Sequence, residues 1–66
     1  MKIDYRKVKI FKISNRKGYA CLCANHLTEG KTAFQAYQRM VKALRRSGID
    51  LISLDIKGVN RLKTDV

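Results

Sequence analysis

The chain predicts a small α+β domain of order β-β-α-β, a three-stranded sheet with one amphipathic helix packed on one face. Three observations carry that expectation. Residues 2–14 and 51–57 alternate between apolar and polar, residues 19–24 are unbroken apolar, and residues 33–47 follow a helical period. With 66 residues there is room for one domain, and a chain of this size buries only about 60% of the surface its unfolded form exposes.

In the first segment Val8 and Ile10 point one way while Lys7 and Lys9 point the other, as in a half-buried strand. Phe11 and Ile13 then fall on the parity of the lysines. Either a bulge near Ile10 or burial of both faces at the strand's end accommodates the slip. Ser14, Asn15, Arg16, Lys17 and Gly18 form a turn signal, with glycine where a positive φ is expected. Residues 19–24, Tyr-Ala-Cys-Leu-Cys-Ala, read as a central strand covered on both faces, and residues 25–30 as its exit loop.

The helix is the strongest feature. Thr32 and Gln35 form a capping box, and Ala33, Tyr37, Met40, Val41 and Leu44 recur at helical spacing as the buried stripe, with Phe34 beside it. Arg45 and Arg46 in the last turn suit the helix dipole, and Gly48 suits a left-handed stop. Beyond it, Ile52, Leu54 and Ile56 are expected to face in while Ser53, Asp55 and Lys57 face out. Residues 60–66 have no periodic pattern and are expected to fray.

The middle of the chain resembles the N-terminal domain of HicB-type antitoxins. Gly18-Tyr19, a strand, a short loop and then Gly30, Thr32, Ala36 and Ala43 follow a G-x-T-x-x-x-A-x(6)-A pattern, and the likeness covers residues 9–44. It implies an incomplete RNase H-like fold and a protein-interaction module that neutralises or scaffolds a partner, here an acidic protein.

Composition narrows function from another direction. Fifteen Lys and Arg against five acids leave a formal charge of +10 on 7.6 kDa, beyond the roughly 2 to 8 that solubility asks of a small domain. Such a surface attracts polyanions, nucleic acid first and anionic membrane surfaces next. The cations fall in two groups. Lys7, Lys9, Lys12, Arg16 and Lys17 crowd the first strand and its turn, together with Lys2 and Arg6. Gln35, Gln38, Arg39, Lys42, Arg45 and Arg46 share the helix face opposite the buried stripe, with Lys31 leading into it. No acid interrupts that face, so the usual i,i+4 ion pairs are missing. The expected function is a non-enzymatic, regulatory or accessory nucleic-acid binder that contacts phosphates through these residues.

Other chemistries find less support. Cys21, Cys23 and His26 form C-x-C-x(2)-H, which lacks the second ligand pair that zinc wants, and strand neighbours two apart, at ~6.6 Å, are poorly placed for a disulfide. Free buried thiols in a reducing, cytoplasmic compartment are expected. Gly30-Lys31-Thr32 resembles the end of a phosphate loop without its leading glycine. His26 is the one residue on which a small ribonuclease would rest. Neither cofactor nor metal is expected, and no run approaches the ~20 apolar residues of a membrane span. The thin core and an open edge strand favour a homodimer.

Overall fold

A computed structural model describes residues 1–14 and 17–63. The chain runs β1 (Lys2–Ile3), a 3₁₀ turn (Tyr5–Lys7), β2 (Lys9–Lys12), β3 (Tyr19–Cys23), β4 (His26–Gly30), α1 (Ala33–Arg46), β5 (Asp50–Leu51) and α2 (Ile56–Asn60). Strands β2, β3 and β4 form an antiparallel meander with β3 central, and α1 packs on one face of it. The α+β class and the helix-on-sheet layering are as expected; the third strand of the sheet is a different one.

The expected first strand is two elements. Asp4 interrupts it, because its carboxylate accepts the Arg6 backbone N–H and caps the 3₁₀ turn. In β2 the pairing is unbroken from Lys9–Leu22 to Lys12–Tyr19, so there is no bulge. Val8 and Ile10 are buried, and Phe11 and Ile13 are half-buried on the far side: the strand's end is covered on both faces.

Residues 26–30 are not an exit loop but β4, folded back on β3 by a two-residue turn. Ala24 and Asn25 both take positive φ, 49° and 66°, the backbone that a tight hairpin with right-handed strand twist requires. β4 then positions the helix. A Cβ built on Gly30 would lie 2.6 Å from the Ala36 amide nitrogen and 3.0 Å from Gln35 backbone carbon, so only glycine permits this approach. Thr28 Oγ1 donates to the Ala36 carbonyl at 2.8 Å, tying the two elements again.

Helix α1 forms where its caps place it. Thr32 Oγ1 accepts the Gln35 N–H at 3.0 Å, while Gln35 Oε1 reaches one residue further back than a standard capping box and accepts the Lys31 N–H at 2.7 Å. At the other end Ile49 N–H donates to the Leu44 carbonyl and Gly48 N–H to that of Arg45, with Gly48 at φ 78°, a Schellman stop. The buried stripe is Ala33, Ala36, Tyr37, Met40, Val41 and Leu44, set against Ile10, Cys21, Cys23 and, from the C-terminal segment, Leu51 and Val59.

The last expected strand, 51–57, is corrected. β5 is two residues long and pairs in parallel with β1, outside the three-stranded sheet. Leu51 is the inward residue, whereas Ile52 and Ile56 are 59% and 58% exposed and Leu54 is half-buried. The physical reason lies at Asp55, whose carboxylate accepts the Gly58 N–H at 2.8 Å and starts α2, delivering Val59 to the core. The C-terminal segment is held as far as Lys63, which bridges Ile10; residues 64–66 lie outside the described residues.

Two substitutions check this account in thermal melts. Gly30→Ala should destabilise by about 1–3 kcal/mol, a fall in Tm of roughly 10 °C, because helix backbone must move away from β4. Ala24→Gly should stabilise by about 1 kcal/mol by relieving the left-handed backbone at a side-chain-bearing residue.

Candidate functional site

Pairing register decides which way each cation points. Ile10, Cys21 and Thr28 form a rung that faces α1; by alternation the rungs Lys9–Leu22–Leu27 and Phe11–Ala20–Glu29 lie on the opposite face. Lys9 is therefore separated from the helix cations by the whole sheet. Lys12 is exposed on the helix-side parity of β2, and Lys7 is exposed at the end of the 3₁₀ turn. Arg16 lies outside the described residues.

Lys17 behaves differently. It lines an open cleft of about 480 Å³ together with Lys31, Gln35 and Arg39, so a cation from the β2–β3 connection meets cations from the start of the helix. Ile13, Glu29 and Gly30 complete the lining, and Glu29 is the acid in the cleft. Arg39 is fixed there, its Nη1 donating to the Glu29 backbone carbonyl at 2.8 Å. A guanidinium has five N–H donors, so one engaged with a carbonyl leaves others for an oxyanion. Gln35 is held by the capping bonds, its amide oxygen already committed to Lys31.

Gln38, Lys42 and Arg45 lie on the other flank of α1, around a hollow of about 230 Å³ that Tyr37, Val41, Ser53 and Leu54 complete. Arg46 is exposed in the last turn. The helix thus carries one cationic group beside the β4 edge and another beside the segment after β5. Sequence spacing placed all of them on one face and did not resolve this split. Nor did it reveal Lys63, whose Nζ sits 5.3 Å from the Tyr19 ring centroid, a cation–π contact created by the Ile10–Lys63 bridge.

Among the described residues, the ion pair formed is Arg6–Asp4, at 2.6 Å and solvent-exposed. Hydrogen bonds from Arg6 lower the Asp4 carboxyl below its usual value. This pair belongs to the 3₁₀ turn, so the helix cations keep their charge unbalanced by it.

Cys21 and Cys23 are free thiols buried under α1. Burial pushes the Cys21 thiol up to about 12, with the neighbouring Cys23 adding to the effect and Thr28 opposing it. Burial also raises Cys23, and raises Tyr37 to about 12 with both cysteines contributing. A nucleophilic or metal-binding thiolate wants the reverse shift. The His26 ring holds Nδ1 2.9 Å from the Ala24 carbonyl and Nε2 3.4 Å from Ser47 Oγ, at the end of β4 away from the cleft. No helix among the described residues is long and apolar enough to cross a membrane.

The raised thiol and phenol values have a sign. Protons bind more tightly in the folded state, so their stabilisation is complete below the ordinary thiol value of 9.0 and is lost as pH rises from there toward about 12. Urea midpoints should fall between pH 8 and 10.5, and Cys21→Ala should flatten that dependence.

Comparison with family models, with curated protein sequences and with solved structures gives no match for this chain.

Proposed function

We propose that the chain is a non-enzymatic nucleic-acid-binding protein that grips phosphates at the Lys17–Lys31–Gln35–Arg39 cleft and along the outward side of α1. The observation that supports it most is the cleft itself, where cations from three segments of the chain meet around an open hollow beside an acid-free helix. Charges gathered this way repel one another in the free protein, and a polyanion relieves that repulsion. Helix α1, 14 residues long, extends ~21 Å, the rise of about six nucleotide steps. Lys42, Arg45 and Arg46 continue the positive surface beyond the cleft. Binding of this kind is set by backbone charge, with Gln38 the side chain of suitable chemistry for a base edge.

A second reading, a HicB-like module for an acidic protein, draws support from the outer edge of β4. That edge pairs with no strand among the described residues, and Arg39 stands over it. An acidic extended segment would find backbone partners and a cation there.

A mobility shift against duplex DNA and single-stranded RNA between about 50 and 200 mM salt tests the first reading. Contacts from four or five cations give log K falling with log salt at a slope near −4 on duplex DNA. Lys17→Gln and Arg39→Gln should each weaken binding and take about one unit from the slope. Lys9→Gln, on the far face, should change affinity less than twofold. Absence of binding to either polymer at 50 mM salt sinks the proposal, and binding of an acidic peptide in the same buffer then supports the second.

A further inference from the structure

We propose that a hollow walled by Tyr19, Phe34 and Ile56 stacks a nucleobase, so that the ligand of this chain is a single-stranded nucleic acid whose phosphates lie in the neighbouring cleft. This rests on the phosphate-binding reading and names the class of ligand for it. The hollow encloses about 340 Å³, and Thr32, Asn60 and Lys63 also line it.

Separate parts of the chain bring these walls together. Tyr19 opens β3 and, by alternation, shares with Cys21 the side of the sheet that α1 covers. Phe34 stands in the first turn of α1. The Asp55 cap starts α2, which contributes Ile56 and Asn60. The bridge between Lys63 and Ile10 then sets the Lys63 ammonium over the Tyr19 ring.

Connectivity puts this hollow beside the cationic cleft. Gly30 and Lys31 line the cleft, the very next residue, Thr32, lines the hollow, and consecutive Cα atoms are ~3.8 Å apart. Tyr19 is also the cross-strand partner of Gly30. A strand with phosphates against Lys31 and Arg39 therefore carries a base to the mouth of the hollow.

Chemistry selects the occupant. Tyr19 and Phe34 are half-buried, packed on the core along one part of the side chain and lining the hollow with the rest. Ile56 is 58% exposed. Such walls offer flat apolar surface to a ring, and stacking on aromatic side chains is worth about 1–3 kcal/mol per base. None of the lining residues is acidic. Lys63 Nζ lies 5.3 Å from the Tyr19 ring centroid, an exposed cation–π contact weaker than a charge-assisted bond to phosphate. Lys63 thus exchanges the ring for the strand's backbone when a base arrives. The Asn60 amide supplies both a donor and an acceptor for a base edge. A duplex does not fit these walls, because its base faces are stacked on one another and only edges and backbone are presented.

Titration of the full chain with labelled octamers in about 50 mM salt tests this. The ligands are a single strand, the duplex of the same sequence, and a strand with the same sugar–phosphate backbone but no bases. The intact strand is titrated as DNA and as RNA, and the tighter of the two is the one compared. Phosphate contacts alone favour the duplex, whose charge density is higher, and do not distinguish the abasic strand. Stacking should make the intact single strand bind more tightly than the duplex and at least tenfold more tightly than the abasic strand. Tyr19→Leu and Phe34→Leu keep an apolar side chain toward the core, and each should cut that tenfold gap to under threefold, with circular dichroism confirming the fold. An intact strand bound no better than the abasic one, or less tightly than the duplex, overturns the inference and leaves the phosphate-binding reading standing. A gap that survives both substitutions does the same. Failure of all the polymers to bind overturns both.

Discussion

The approach of α1 to β4 at Gly30 is the constraint on which the rest of the molecule depends. A missing Cβ lets the helix start within van der Waals contact of the strand it has just left, and Thr28 fastens the pair from the strand side. Because α1 then runs back along β4, Ala36 and Met40 descend into the core while Arg39 comes out over the strand edge. The same geometry carries Ser47 to His26 at the far end. A small domain with a thin core gains much from such a junction, since one close contact fixes the helix axis and every side chain on it.

Elements with a local chemical signature were legible in the sequence. The helix had both its ends written in it, Thr32 and Gln35 at the start and Gly48 at the stop, and both operate. Elements whose signature was ambiguous were lost. The β3–β4 turn uses Ala24-Asn25, and alanine seldom adopts positive φ, so the run 19–24 looked continuous and the strand after it looked like a loop. At the C-terminal end the alternation of Ile52, Leu54 and Ile56 resembled a strand, but Asp55 followed three residues later by Gly58 is also a helix start. The core settled the matter by taking Leu51, which is off the expected inward face, and Val59, which lies beyond the expected strand.

The candidate site was legible as a set of cations and not as a place. Spacing alone puts Gln35, Gln38, Arg39, Lys42, Arg45 and Arg46 on one solvent face, whereas the structure sets Gln35 and Arg39 beside the β4 edge and Gln38, Lys42 and Arg45 on the other flank of the helix. Whether Lys9 and Lys17 join them depends on strand parity and on where a turn lands, which only pairing register resolves. Lys17 meets the helix cations and Lys9 does not. The exposure of Leu22 and Leu27 was illegible for the same reason: Leu22 lay in what read as a strand covered on both faces, and Leu27 in what read as a loop.

One consequence follows from the bond between Arg39 and the Glu29 carbonyl. Strand β4, His-Leu-Thr-Glu-Gly, contains neither lysine nor proline, the usual protections of a sheet edge against runaway pairing. Here the guard is borrowed: a guanidinium reaches down from the neighbouring helix and occupies an outward carbonyl. Protection of the edge is therefore only as durable as the middle of α1. Fraying of that helix would uncover the β4 edge and the apolar underside of the sheet together, which makes helix integrity a determinant of how the protein resists aggregation.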